Sequence, residues 1–308
     1  MRDFFRRKGV YLREMFPVQV YLPYILVLYS CLYFASQLLA GKPLLADAYY
    51  LLGGISAFFF MLLMRTFDDL KDFDLDRKIF PWRATARGDV LRSDIRFLSL
   101  LSFSVLVVVN LLFGQKTLFV FLGVMVYLLL TFKWFFAEDF HRRHQVFTMF
   151  THQPIPWAIN YFLIHVALAS GSSYAPFSTL HWCLLAVFSL PITAWDVSRK
   201  IRAKGNETDY ETFSMIFGTR PAAFLAFALL FLSGALAFYL GRQLNFPLGF
   251  FAIDIALLLG MTFFYFRFMW KPVLKHNVLK NVTMSFTTLL FLNFLAHILL
   301  YEKVVWGL

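Results

Sequence analysis

The chain has 308 residues, of which 60% are hydrophobic, 20% aromatic and only 15% charged. Soluble domains carry about 25% charged residues, and a mean hydropathy of +0.65 leaves too little polar surface for a water-soluble globule. The apolar residues run in uninterrupted blocks, which excludes disorder and points to an all-α, polytopic membrane protein. The 29 basic residues outnumber the 18 acidic ones, giving a net charge of +11. In a soluble chain that excess would suggest nucleic acid. Here the basic residues lie between apolar blocks, so they read as orientation signals and no nucleic-acid partner is expected. Cys31 and Cys183 fall in separate apolar blocks. They are expected to be packing thiols, with no disulfide or zinc site.

A bilayer core of about 30 Å takes about 20 apolar residues per helix. That length fits nine spans, near 17–40, 47–66, 95–114, 117–134, 146–169, 180–197, 221–240, 248–269 and 283–301. Residues 1–16 form a basic cytoplasmic segment. The first span is too long for a signal peptide and lacks a small-residue cleavage site, so it is expected to be retained. With the N-terminus cytoplasmic, nine alternating spans put 25 of the 29 basic residues on the cytoplasmic side, leaving Lys42, Lys116, Arg242 and Lys303 outside. This asymmetry is the positive-inside pattern, and it puts the C-terminus outside. The whole chain, 1–308, then reads as one multi-pass domain of the plasma (inner) membrane. Its chemistry is expected to face the cytoplasm through the connections 67–94, 135–145, 198–220 and 270–282.

The second span runs into Arg65-Thr66-Phe67-Asp68-Asp69-Leu70-Lys71-Asp72-Phe73-Asp74-Leu75-Asp76, five carboxylates in nine positions. On a continuous helix Arg65, Asp69, Asp72 and Asp76 share a stripe about 60° wide, with Asp68 just beside it and Asp74 pointing away. Like charges at these spacings repel, so the stripe needs a counter-charge. Magnesium suits it, because it takes one or two carboxylates and completes its shell with water and substrate phosphates. A diphosphate bridged by magnesium, with Arg65 alongside, is the simplest complement. The alternative is a solvated loop whose aspartates pair with Lys71, Arg77 and Lys78. Arg83 and Arg87 follow in Pro81-Trp82-Arg83-Ala84-Thr85-Ala86-Arg87-Gly88. Each could reach phosphate oxygens or simply mark the cytoplasmic side. Ser93 is the expected cap of the third span.

In the fifth span His152, Gln153 and Asn160, with Pro154 and Pro156, interrupt the apolar run and are expected to line a cavity wall. The sixth span ends Trp195-Asp196-Val197-Ser198-Arg199-Lys200-Ile201-Arg202. Asp196 is either a helix-end ion pair with Arg199 and Lys200 at i+3 and i+4 or a second metal ligand flanked by cations that hold a diphosphate. Asp254 in the eighth span is expected to pair with a neighbouring helix, and Asn293 and His297 in the ninth to hydrogen-bond between helices.

Asp68-Asp69-x-x-Asp72-x-x-x-Asp76 followed by Pro81-x-Arg83, with Asp196 after the sixth span and Thr212-Phe213 through Gly218 behind it, resembles the UbiA superfamily of intramembrane prenyltransferases. The resemblance covers nearly the whole chain. It implies nine helices around a central cavity with both aspartate motifs cytoplasmic. It also implies Mg2+ as cofactor, a prenyl diphosphate donor, and a hydrophobic or aromatic acceptor delivered among membrane lipids. Asp69, Asp72, Asp76 and Asp196 would be the catalytic, metal-binding acids. Arg65, Arg83, Arg87, Arg199, Lys200 and Arg202 would bind the diphosphate, with Asp68, Asp209, His152 and Asn160 as further candidates. Metal and arginine would stabilise the leaving diphosphate, and aromatic faces the allylic cation. Two positions depart from the pattern. Asp68 stands where asparagine is usual, and Lys200 stands where the second motif ends in an acid, which leaves two alternatives: Asp209 replaces the ligand, or Lys200 and Arg202 replace the ion's charge. The same donor site would also serve a terpene cyclase. A transporter would instead be expected to carry its acids near the bilayer midplane.

Overall fold

The computed structural model describes residues 2–171, 173–203 and 212–307. Its helices are, in order, α1 (Arg2–Val10), α2 (Val18–Leu39), α3 (Ala48–Lys71), α4 (Phe73–Ile79), α5 (Ala84–Arg87), α6 (Arg92–Asn110), α7 (Gln115–Phe132), α8 (Glu138–Arg143), α9 (Gln145–His152), α10 (Pro154–Ala169), α11 (Thr179–Arg199), α12 (Phe213–Phe217), α13 (Thr219–Gln243), α14 (Leu248–Trp270) and α15 (Leu279–Tyr301). Among the described residues, eight are long and apolar enough to cross a membrane: α2, α3, α6, α7, α11, α13, α14 and the segment ending in α15. The fold is the expected all-α membrane fold. Among the described residues, a single pair of short strands, β1 (Leu44–Ala46) and β2 (Val304–Trp306), joins the loop after α2 to the segment after α15.

The expected span over 146–169 is two helices, α9 and α10, meeting at Gln153. Proline lacks the amide that would continue the ladder and fits the first turn of a new helix, so Pro154 starts α10 where α9 stops. At 16 residues, α10 is about 24 Å long.

Contacts gather into two units. In the first, containing residues up to Tyr29 and Ala46–Tyr174, α3 packs on α6 and α10, and α7 on α10. Phe60, Phe121 and Phe162 form its aromatic centre, with ring centroids 5.6–6.0 Å apart. Asn110 donates from Nδ2 to Ser56 Oγ at 3.1 Å, tying α6 to α3. The glycine at Gly53 lets α3 approach the Tyr29 ring and Val166; a Cβ there would lie 2.9 Å from Val166 Cγ1.

In the second unit, Ser30–Leu45 with Ala175–Trp306, α11 packs on α13 and α15, while α14 packs on both α13 and α15. Cys31 is buried and Cys183 half-buried, both as free thiols. Asn293 donates to the Phe250 carbonyl at 3.1 Å, an interhelical bond as expected. His297 instead has Nδ1 2.8 Å from the Asn293 carbonyl of its own helix. Asp254 has no helix partner: it is fully buried, and among the described residues neither carboxylate oxygen has a hydrogen-bond partner. The flanking Phe250 and Leu258 fill the gaps left by Gly241 and Gly234 of α13, a close apolar packing that leaves Asp254 between them on the same helix face.

Candidate active site

Helix α3 carries the first acids beyond its apolar run, and Asp72 ends it with φ −99° and ψ 10° before α4 begins at Phe73. The backbone hydrogen bonds continue across this point, from Asp72 N to Asp68 O at 3.0 Å and from Asp76 N to Asp72 O at 2.7 Å. The stripe is therefore interrupted: the 100° spacing expected of one helix holds through Lys71, and Asp76 belongs to a second. The non-helical ψ at Asp72 is the reason.

Asp69 is buried, and each of its oxygens has a donor: Arg65 Nη2 lies 3.0 Å from Oδ1 and Tyr11 Oη donates to Oδ2 at 2.7 Å. The Arg65 Nε is also buried and has no acceptor among the described residues. Asp76 forms an ion pair with Arg83, whose guanidinium lies 4.2 Å from the Phe80 ring. Asp68 is exposed. Asp72 is half-buried and, among the described residues, its carboxylate has neither ion pair nor hydrogen bond. Burial first, then the charge of Asp68 and, more weakly, that of Asp76 push its carboxyl above the usual range, against the opposing pull of Lys71 and Arg142. Among the described residues, Asp69 and Asp76 pair with Arg65 and Arg83, and Asp74 lies 3.5 Å from Arg92, in place of the expected Lys71, Arg77 and Lys78. Lys71 Nζ is 3.4 Å from the Thr131 carbonyl and 4.2 Å from the Trp134 ring centroid, which Arg142 also approaches at 5.4 Å. Trp134, Phe135 and Phe136 have φ of 52°, 50° and 60°, a left-handed stretch that costs side-chain-bearing residues about 1–2 kcal/mol each.

The N-terminal segment reaches this region. Arg7 Nε and Lys8 Nζ lie 2.7 and 2.5 Å from the buried Asp94 carboxylate, which also accepts from Leu91 N at 3.0 Å. Arg87 turns away from the aspartate cluster to Glu14 at 2.7 Å, Asp89 at 2.8 Å and the Trp82 carbonyl. Because Asp94 already accepts from the Leu91 amide, α6 starts at Arg92 and Ser93 lies inside its first turn, not at the cap. The Tyr11 phenol is held well above its ordinary value by burial and by the neighbouring Asp69 charge, so it keeps its proton and donates.

In the second unit, Asp196 pairs with both cations of its own helix, Arg199 Nε at 2.8 Å and Lys200 Nζ at 3.2 Å. Arg202 donates from Nη1 to the Arg199 carbonyl at 3.0 Å and from its backbone amide to Ser214 Oγ at 2.9 Å. Thr212 precedes α12, and Gly218 closes it with φ 86°. Asp209 lies outside the described residues. In the first unit, His152 has Nδ1 3.0 Å from the Thr148 carbonyl and Nε2 3.2 Å from the Thr131 carbonyl. Asn160 is buried in α10.

The donor set suits a hard cation. Carboxylate oxygens are what magnesium takes, and Asp72 is a partly buried acid with no partner between two others. No group of three His, Cys, Asp or Glu side chains converges as a ready-made metal site among the described residues. Asp72, with Asp68 or Asp76, would hold the ion together with water and substrate oxygens, and Asp69 would join through the lone pair that each of its oxygens keeps beside its present donor.

No protein-family model matches the chain, and no curated protein matches it by sequence. Among solved structures it is similar to a digeranylgeranylglyceryl phosphate synthase in membranes, with a TM-score of 0.64 and 14% identity over 94% of this chain and 98% of that one. It is also similar to the apo form of a UbiA homolog from Aeropyrum pernix K1, with a TM-score of 0.66 and 13% identity over 91% and 98% of the two chains. This chain has the all-α membrane fold of these proteins, the fold that its aspartate motifs imply.

Proposed function

We propose that the chain is a multi-pass membrane prenyltransferase. It would move an isoprenyl group from a prenyl diphosphate to a hydrophobic or aromatic acceptor, with magnesium at the aspartates after α3 and the site facing the cytoplasm. The observation that carries this reading is a pair of unmet polar groups at one helix end. The Asp72 carboxylate has no ion pair or hydrogen bond, and Arg65 Nε has no acceptor, among the described residues. A carboxylate calls for a cation and a buried N–H for an anionic oxygen; a metal diphosphate supplies both. The likeness of fold adds support, since one of the similar structures is a digeranylgeranylglyceryl phosphate synthase in membranes.

Magnesium, when bound, neutralises charge on the departing diphosphate. The residues of the chain do the rest. Arg65 would offer Nε to a phosphate oxygen, and Arg83, already partly exposed, would trade Asp76 for another. As the carbon–oxygen bond of the donor breaks, these guanidinium groups would meet the growing negative charge, while apolar walls exclude water from the allylic cation. In the second unit, Arg199 and Lys200, which share Asp196, would themselves offer cationic donors to a diphosphate.

Incubation with a radiolabelled prenyl diphosphate, with and without candidate phenolic and lipid alcohol acceptors, tests the reading. Prenylated acceptor should form, and stop in chelator. Asp72→Ala should remove most turnover while leaving thermal stability unchanged. Full turnover in chelator together with an active Asp72→Ala would refute the metal–diphosphate site, and a cyclised hydrocarbon product would replace transfer by cyclisation.

A further inference from the structure

We propose that Tyr11 is a positioning residue of the donor site, setting the Asp69 carboxylate through the N-terminal segment that straps across the end of α3. This rests on the reading of Asp69 as part of that site. Tyr11 is entirely buried although it lies outside the eight long helices, and its hydroxyl donates to Asp69 Oδ2 at 2.7 Å. With Arg65 on the other oxygen, the carboxylate is held at two points. A carboxylate held so cannot rotate freely, yet each oxygen keeps a lone pair for a further partner. The segment that brings Tyr11 here is itself fastened on both sides: Arg7 and Lys8 hold Asp94 of α6, and Glu14 holds Arg87 of α5. Three separate polar attachments within eight residues are more than a tail needs to lie on a membrane. They bring the segment to the elements that carry Asp69, Arg83 and Arg87, so its order and the geometry of Asp69 are linked.

Tyr11→Phe removes the hydroxyl and keeps the ring that packs. A hydrogen bond to a charged group is worth about tenfold or more in binding, so Tyr11→Phe should weaken binding of farnesyl thiolodiphosphate, an unreactive donor analogue, by about tenfold in magnesium buffer. Binding is read by calorimetry on protein whose melting transition shows it folded, since losing a donor to the buried Asp69 also lowers stability somewhat. The decisive arm is Asp69→Asn, alone and combined with Tyr11→Phe. If Tyr11 acts through Asp69, the double variant binds no worse than Asp69→Asn alone. If Asp69→Asn weakens binding while Tyr11→Phe does not, or if the two losses multiply, the positioning role is overturned and the donor site stands. If Asp69→Asn itself leaves binding unchanged, the donor-site reading has failed and the role of Tyr11 falls with it.

Discussion

Asp94→Asn should release the N-terminal segment without unfolding the protein. Asp94 and Lys8 are 1% and 6% exposed, and Lys8 Nζ and Arg7 Nε lie 2.5 and 2.7 Å from its two oxygens. Asparagine keeps the shape and an acceptor for the Leu91 amide but removes the charge both cations answer. Breaking a buried ion pair by removing one partner costs about 3–5 kcal/mol. That cost is charged to docking, because residues 2–16 can detach and return Lys8 to water while the long helices stay packed. Three kcal/mol is about a hundredfold in the docked-to-free ratio. Arg7 retains more solvent than Lys8, so Lys8→Met should release the segment more than Arg7→Met does. Amide hydrogen exchange over residues 2–16 in micelles reads the effect directly, and trypsin sensitivity after Arg7 and Lys8 should rise in parallel. Unchanged exchange in Asp94→Asn, with a melting temperature that falls instead, would show that this ion pair supports the global fold and does not dock the segment.

Lys200→Asp moves the chain toward the second aspartate motif but removes one of the two cations on Asp196 and sets two acids at i,i+4; turnover at saturating magnesium should fall, and a rate at or above wild type would refute the role of Lys200 as a diphosphate donor. Gly53→Ala should cost about 1–3 kcal/mol, because the new methyl meets the Tyr29 ring and Val166; an unchanged melting temperature would show that α3 can shift away. Asp254→Leu should raise the melting temperature, since an unsatisfied buried polar group costs about 1–3 kcal/mol; a lower melting temperature would mean that the carboxyl has a stabilising partner after all.

The long helices were legible because lipid demands length and apolarity of each one, and both are local properties of sequence. The break at Gln153 was legible for the same reason, through the two prolines beside it. Pairing of Asp196 with Arg199 and Lys200 followed from i+3 and i+4 spacing. What sequence could not show is contact between segments far apart along the chain. Tyr11 reaches Asp69 across 58 positions, and no periodic pattern connects them. The interruption at Asp72 also left no mark, because Phe73–Ile79 is itself a good helix and only the dihedrals between the two pieces change. The left-handed turn at Trp134–Phe136 runs against expectation outright, since bulky aromatic residues disfavour positive φ. Asp254 misled in the opposite direction: a buried acid normally predicts a partner, and none is found among the described residues.

The pairing of β1 with β2 has a topological consequence. One strand follows α2 and the other follows α15, so the backbone between them, closed by the strand hydrogen bonds, forms a circuit that starts and finishes at one membrane face. Any closed circuit cuts a plane an even number of times. Seven of the eight long helices lie within it, all but α2. If each of them spans the bilayer, the count is odd and the circuit cannot close on one face until α9 and α10 together supply one more passage. The bend at Gln153 is then a joint within a crossing, and the short α10 reaches the far face with the help of α9 below it. Reporter cysteines placed in the loop before β1 and in the segment after β2 should therefore be labelled from the same side of sealed vesicles, whichever side that is.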